Sequence, residues 1–310
     1  MKIDLDDLLV PFQPDGIRYD SNDLLQSDVS HFTVEKFSDA THVLSGCPQD
    51  HGVLRNQGRP GAAGAPAAIR SIFYRLKPPK DGNEIFLVDL GDVKVDGVLE
   101  DVHIRLQSVV AYSLAAGKSV IVLGGGNDIS FADGAALAET FGEIVCLKLD
   151  AHLDIRKSSS RNSGTPCRNL LDHDLIKPAN LFEVGIQPWA NSSHYLEEAK
   201  NLGIHITTLG EIHNIQGDPW NSLIASLPYL PLLAGLDMDS VRSSDAPGAS
   251  APSPVGFSAE EILAFADRIR EHPAATVFEI SEVNPVFDRD NCTARLAALA
   301  VYSYLYGRRE

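Results

Sequence analysis

The sequence predicts an α/β fold in which helices cover both faces of a parallel sheet of roughly eight strands, a three-layer α/β/α sandwich. The first observation is that short apolar runs rich in strand-forming residues alternate with Ala- and Leu-rich helical segments from about residue 41 onward. The second is that 44% of the 310 residues are hydrophobic, which is enough for a sizeable core. The third is that no Pro/Ser-rich linker or low-complexity block divides the chain. Such an alternation favours parallel strands joined by helical crossovers.

The predicted elements follow one another along the chain. Strands are predicted at residues 41–45, 84–88, 119–123, 144–149, 181–185, 205–208, 230–236 and 276–280, and helices at 102–116, 258–271 and 293–304. We expect residues 1–310 to form one domain, with an N-terminal segment of 40 residues whose role the sequence does not indicate.

Composition and charge exclude several classes of function. The formal net charge is −16, and no segment supplies the basic stripe that a nucleic-acid partner would need. The acidic N-terminus does not resemble a signal peptide and no run of 18 apolar residues occurs, so we expect a cytoplasmic protein without a membrane partner. Four cysteines lie far apart and are expected to be free, mostly buried thiols. A small molecule is therefore the expected partner, and a homo-oligomer is left open.

Polar residues follow several of the predicted strands, at the sheet edge where ligands of open α/β folds bind. In the run DAHLD, Asp150, His152 and Asp154 have the i, i+2 spacing that turns side chains to one side of an extended chain, and Asp237 and Asp239 repeat it in DMD. Carboxylates converging in this way raise one another's pKa unless cations are present. An isolated DxHxD is more often a polar loop or a capped turn. Two such runs after apolar strands favour a pair of divalent metals, and oxygen-rich ligands with one imidazole favour Mn²⁺ over zinc.

These motifs resemble the metal-binding motifs of the ureohydrolases, the arginase and agmatinase superfamily. In chain order they are GGGND at 124–128, DAHLD at 150–154, GLDMD at 235–239 and EVNP at 282–285. Within that superfamily the chain is most similar to the formimidoylglutamase family, through GRPGA at 58–62, SGTP at 163–166 and APGASAPSPVGF at 246–257. The resemblance begins near residue 45 and implies an arginase-like fold.

The resemblance also implies two Mn²⁺ ions per subunit. The ligands it implies are Asp150 and Asp237 as bridges between the ions, Asp154 and Asn127 at one ion, and His152 and Asp239 at the other. Asn127 stands where the family has histidine, and an amide oxygen is a weaker donor than imidazole. We therefore expect the Asn127-side ion to be held weakly or to be absent.

The reaction implied by the resemblance is hydrolysis of a linear amidine C–N bond, in which N-formimidoyl-L-glutamate and water give glutamate and formamide. Asp154 would accept a proton from the attacking water, and Glu282 would pair with the cationic amidine nitrogen. The two substrate carboxylates require a cationic fork, for which Arg156 is the first candidate because it follows Asp154 by two residues. Ser163, in SGTP, is a further substrate-binding candidate by the same resemblance.

Two weaker candidates for binding the substrate carboxylates are Arg59 and Arg161. Three functions stay open on the sequence: hydrolysis of formimidoylglutamate, hydrolysis of another guanidino or amidino compound in the manner of an agmatinase or arginase, and a catalytically impaired relative that binds a ligand or a partner. Asn127 is the feature that favours the third. Retention of the other metal-ligand positions weighs against it, because unpaired buried acids would cost stability.

Overall fold

A computed structural model describes residues 5–12, 33–34, 36–77 and 85–307. The strands within these ranges are β1 (Leu9–Val10), β2 (His42–Gly46), β3 (Leu87–Val93), β4 (Ser119–Leu123), β5 (Val145–Leu149), β6 (Leu181–Ile186), β7 (His205–Thr208), β8 (Leu232–Asp237) and β9 (Ala275–Ser281). The α-helices there are α1 (Leu5–Leu8), α2 (His51–Arg55), α3 (Ala65–Phe73), α4 (Leu99–Ala115), α5 (Ser130–Phe141), α6 (Pro166–Asp172), α7 (Ser193–Leu202), α8 (Leu209–His213), α9 (Pro219–Ala225), α10 (Ala259–Glu271) and α11 (Cys292–Tyr306). None of the helices in the described ranges is long and apolar enough to cross a bilayer.

All nine strands belong to one sheet in the order β1-β3-β2-β4-β9-β8-β5-β6-β7. Every neighbouring pair is parallel except β1 and β3. Because parallel strands place their carboxyl ends at the same edge, the loops that follow β4, β9, β8 and β5 lie side by side at the centre of the sheet. These four loops carry the predicted site.

Two hydrophobic cores lie on opposite faces of the sheet. One contains the buried residues of α3, α10 and α11, and the other contains those of α4, α5 and α6. Successive strand residues point to alternate cores: Leu147 and Leu149 belong to the first, and Cys146 belongs to the second. The predicted three-layer α/β/α architecture is confirmed.

The structure also corrects the predicted strand list. Each of the eight predicted strands is present, although β3 extends to Val93 and the predicted start of that strand, at residue 84, lies outside the described residues. The ninth strand, β1, pairs antiparallel with β3 through Leu9 and Val10. Two residues are too short a run to produce a periodic pattern, so the sequence did not reveal this edge strand. The four cysteines are free, and Cys47, Cys146 and Cys167 are buried, as expected.

Candidate active site

Two turns of the same type bring together Asp150, His152, Asp237 and Asp239. At the end of β5, Asp150 Oδ1 accepts a hydrogen bond from the His152 N–H at 2.7 Å, and at the end of β8, Asp237 Oδ1 accepts one from the Asp239 N–H at 2.8 Å. Each first Asp therefore caps the turn that follows its strand. Since β5 and β8 are neighbours, both turns open into one volume.

A metal-binding group is assembled between these turns. His152 Nδ1 lies 3.2 Å from Asp239 Oδ2 and 3.5 Å from Asp150 Oδ1. One ligand atom from each of Asp150, His152 and Asp239 lies within 4.8 Å of the others, and among the described residues this is the one such group of His, Cys, Asp or Glu side chains. The other oxygen of Asp239, Oδ1, is buried and accepts no hydrogen bond from the described residues.

The charges in this volume are unbalanced. Burial, together with the neighbouring acids, raises the pKa of Asp150, Asp154 and Asp237 above the ordinary range of an aspartate. The Asp239 carboxylate raises the pKa of His152 well above its usual range, against the opposing effect of burial. One imidazolium among several carboxylates leaves an excess of negative charge that a divalent cation would balance.

Asn127 lies at the other side of the same volume and is 1% exposed. Its side-chain amide donates hydrogen bonds to Asp150 Oδ2, at 3.2 Å, and to Asp154 Oδ2. Its carbonyl oxygen accepts hydrogen bonds from the Lys148 ammonium at 2.6 Å and from the hydroxyls of Ser130 and Ser281 at 3.0 and 3.1 Å. The nitrogen end of the amide, rather than the oxygen end, therefore faces the carboxylates.

The two acids with predicted catalytic roles, Asp154 and Glu282, both have left-handed backbone conformations, with φ of 49° and 62°. Such values are uncommon outside glycine and cluster at functional sites. Glu282 is 4% exposed, and its Oε1 accepts a hydrogen bond from the Asn127 N–H at 2.8 Å. Burial raises the pKa of Glu282 to about 8, although this hydrogen bond opposes the shift.

A cavity of about 190 Å³ opens over these groups. Its lining combines predicted metal-site and substrate-binding residues with residues that follow β2 and residues of the 246–257 loop. The lining residues are Val53, Asn56, Gly58, His152, Asp154, Arg156, Ser163, Asp237, Asp239, Ser250, Ala251 and Glu282. Arg156 is exposed at the mouth and donates to Asn56 Oδ1 at 3.1 Å, while the Asn56 amide donates to Ser163 Oγ at 3.1 Å. Arg156 and Ser163 thus lie together beside the acids.

The two weaker arginine candidates lie elsewhere. The Arg59 guanidinium donates to the carbonyls of Ala249 and Ser250, at 2.5 and 3.2 Å, and stacks 4.2 Å from the centre of the Phe287 ring. The Arg161 guanidinium lies 3.9 Å from the Phe131 ring. Neither residue lines the cavity, so Arg59 fastens the 246–257 loop instead of reaching into it.

Three residues of this region were not predicted from the sequence. Asn56 gave no signal because it lies two residues before the GRPGA run in an unremarkable polar loop. Lys148 and Glu279 did leave a signal, since each interrupts an otherwise apolar strand, in VCLKL and VFEIS. A charge in a strand that is buried on both faces needs a partner inside the protein.

The fold and the acidic cavity define a ureohydrolase-like protein, and the comparison with known families agrees: the chain belongs to the arginase family, which it matches over residues 40–307. The formimidoylglutamase of Paraburkholderia xenovorans is 33% identical over 281 residues, covering 85% of this chain and 87% of that protein. Among solved structures, Trypanosoma cruzi formiminoglutamase with Mn²⁺ superposes with a TM-score of 0.85 at 30% identity, covering 90% of this chain and 97% of that one. Proclavaminate amidino hydrolase from Streptomyces clavuligerus gives a TM-score of 0.76 at 27% identity, covering 87% and 93%.

Proposed function

We propose that the protein is a Mn²⁺-dependent hydrolase that converts N-formimidoyl-L-glutamate and water to L-glutamate and formamide. The observation that carries the proposal is that one cavity is lined by His152, Asp239, Glu282 and Arg156 together. It combines a metal-binding group, an acid for a cationic amidine and a cation for a carboxylate. The formimidoylglutamase relatives at 31–34% identity support the choice of substrate.

The donor set fits divalent manganese. The aspartates that converge on His152 supply hard oxygen ligands, and the unpartnered Oδ1 of Asp239 is a buried acceptor that a cation would satisfy. His152 and Asp239 would hold one ion and Asp154, with Asn127, the other, while Asp150 and Asp237 would bridge. When bound, such a metal pair lowers the pKa of water, and so supplies the hydroxide that can attack an amidine carbon near neutral pH.

Asp154 and Glu282 would then act directly on the reactants. Asp154 lines the cavity beside Asp150 and would accept the proton that the attacking water loses. Glu282 would hold the cationic amidine nitrogen and so orient the electrophilic carbon. Its raised pKa is consistent with this role, because a buried carboxylate without a cationic partner is costly and a bound amidinium would supply that partner.

Arg156 would bind a carboxylate of the glutamate portion. Its guanidinium is at the cavity mouth, and Asn56 holds one of its nitrogens by accepting a hydrogen bond at 3.1 Å. Ser163, which accepts a hydrogen bond from the same Asn56, would donate its hydroxyl hydrogen to the second carboxylate. The separation of the cation at the mouth from the acids at the base matches a substrate whose amidine, on the α-nitrogen, lies apart from its side-chain carboxylate.

A second candidate substrate is another linear amidine or guanidine. The similarity to proclavaminate amidino hydrolase favours it, because that relative is named for a different amidino compound and shares the fold. The presence of Arg156 in the cavity favours formimidoylglutamate over a substrate that has no carboxylate.

The proposal is tested by measuring bound manganese and formamide release on the same preparation. Metal-free protein should release no formamide from formimidoylglutamate, and addition of Mn²⁺ should restore release. Agmatine and arginine, assayed in parallel for urea release, should be poor substrates. Bound Mn²⁺ without turnover of any of the three compounds would instead indicate the catalytically impaired alternative.

A further inference from the structure

A layer of buried charges lies beneath the candidate metal site. Lys148 of β5, Glu183 of β6 and Glu279 of β9 are each 0% exposed. They lie at one level of the sheet, because Lys148 pairs in register with Glu183 on one side and with Gly235 of β8 on the other, and Gly235 pairs with Glu279. Alternation along these strands directs the three side chains to the face covered by α5.

Gly235 of β8 lets the Lys148 side chain cross β8, which is the strand between β5 and β9. A Cβ atom at position 235 would lie 2.7 Å from Lys148 Cδ and 2.8 Å from its Nζ. Through this gap the Lys148 ammonium donates to Asn127 Oδ1 and to Ser130 Oγ, both at 2.6 Å, and to Glu279 Oε1 at 3.2 Å. Three acceptors therefore match its three N–H groups.

This contact fixes which end of the Asn127 amide faces the acids. A lysine ammonium has only donors, so only the oxygen end of the amide can lie against it. The amide nitrogen is then left to face Asp150 and Asp154, as observed. For Asn127 to offer its oxygen to a cation between those aspartates, the amide would have to rotate and bring two sets of N–H donors together beside Lys148.

The charge of Lys148 acts in the same direction. Its ammonium lies 2.6 Å behind the Asn127 oxygen, so a cation held in front of that amide would experience repulsion across one side chain. In a buried region such repulsion is weakly screened by solvent. Glu279 offsets part of this repulsion, because its Oε1 lies 3.2 Å from the ammonium.

We propose that Lys148 is a positioning residue which turns the Asn127 oxygen away from the Asn127-side cation site and thereby keeps that site weak. The inference rests on the proposed manganese function. It assigns the asymmetry of the two ions to a residue outside the motifs, acting through Asn127.

The test is Lys148→Met, which keeps most of the side-chain volume and removes the charge and the donors. Metal-free full-length protein is titrated with Mn²⁺ alone, and free Mn²⁺ is followed by electron paramagnetic resonance. The parent should bind one ion tightly and one weakly. In Lys148→Met the weaker site should tighten about tenfold or more, the size expected when one nearby buried charge is removed, while the His152-side affinity stays the same. A merely structural lesion would weaken metal binding, so a gain in affinity is diagnostic.

Two further variants keep the test decisive. Lys148→Met leaves Glu279 buried without its cation, so Lys148→Met/Glu279→Gln removes both charges and should show the same tightening if the single variant fails to fold. Glu183→Gln alters a side chain of the same layer that has no contact with Asn127 and should leave both affinities unchanged. Unchanged weak-site affinity in folded Lys148→Met and in the double variant, with Mn²⁺ bound, would overturn the inference and leave the proposed function standing. Absence of Mn²⁺ binding in the folded parent would overturn both.

Discussion

The Asn127 amide contacts Lys148 through its oxygen and the aspartates Asp150 and Asp154 through its nitrogen, so a substitution of Asn127 changes both sets of contacts. Asn127→His would offer the aspartates an imidazole, a better manganese ligand than an amide, and would deprive Lys148 of one acceptor while leaving Ser130 and Glu279. We expect the weaker ion to bind several-fold more tightly and activity to persist at lower Mn²⁺. The measurement is a Mn²⁺ titration followed both by metal content and by formamide release.

Asn127→Ala is the matched control for this substitution, because it removes the amide without supplying a ligand. It should not tighten the binding of that ion, because the oxygen that it removes faces Lys148 and not the aspartates. Equal Mn²⁺ affinities for the parent and Asn127→His would contradict the prediction and would make Asn127 a bystander to metal binding.

Arg156 tests the assignment of the substrate's carboxylate end. Arg156→Ala should raise KM for formimidoylglutamate by about tenfold to a hundredfold, the range for losing a charged hydrogen bond, while bound Mn²⁺ is unchanged because Arg156 lies at the cavity mouth. Arg161→Ala is the control, since its guanidinium stacks on Phe131 outside the cavity. If KM stays at the parent value, the anchor lies elsewhere, and Asn56 and Ser163 are the next side chains to test because both line the cavity.

The acids and His152 could be predicted from the sequence because their spacing directly after a strand determines where their side chains point. The orientation of the Asn127 amide could not be predicted in this way. It depends on Lys148, whose side chain reaches Asn127 only because Gly235 on a third strand leaves the space. Arg59 shows the same limit, since its partners are carbonyls about 190 residues away in the chain.

At the level of elements, the loop that follows β4 depends on close approach between backbones. A Cβ atom on Gly125 would lie 1.7 Å from the Gln49 carbonyl oxygen, so this glycine is required by a neighbouring loop, not by the metal site itself. The Gly126 N–H donates to the same carbonyl at 3.0 Å. The loops after β2 and β4 are thus held in direct contact.

Gly125→Ala should therefore lower the free energy of unfolding by about 1–3 kcal/mol or more, as overpacking does, and should loosen metal binding through displacement of Asn127. Urea unfolding with a matched Mn²⁺ titration measures both effects. Gly210→Ala, at an exposed position of helix α8 with nothing within 4 Å of the added Cβ, is the control and should leave stability unchanged or slightly raised. Wild-type stability in Gly125→Ala would show that the Gln49 loop shifts freely.

On the scale of the whole molecule, the sequence predicted eight strands and the layers around them because each strand that is buried on both faces forms a continuous apolar run. It did not predict the strand order. That order places β4, β9, β8 and β5 together although 82 residues of sequence separate the end of β5, Leu149, from the start of β8, Leu232. The pairing of distant strands is decided by tertiary packing, and it is what converts four separate motifs into one site.

The same buried acids connect the site to the stability of the whole chain. Burial raises the folded-state pKa of Asp150, Asp154, Asp237 and Glu282, and the Glu282 pKa rises from 4.5 to about 8. Without metal, the folded chain therefore holds protons that the unfolded chain has released, and folding stability should fall as pH rises from about 4.5 toward 8. Mn²⁺ requires the ionised carboxylates, so its stabilising effect should grow over the same window.

We therefore predict that Mn²⁺ raises the midpoint of thermal unfolding more at pH 8 than at pH 6, and that metal-free protein is less stable at pH 8. Calorimetry with and without Mn²⁺ at both pH values measures this difference. Asp237→Asn, which removes one of the proposed bridging carboxylates, should shrink the Mn²⁺ effect at pH 8. We also propose that residues 1–310 form one domain, since all nine described strands share one sheet, and a single cooperative transition is then expected under each condition. Metal-free protein that becomes more stable from pH 6 to 8 would contradict the burial of proton-holding acids at this site.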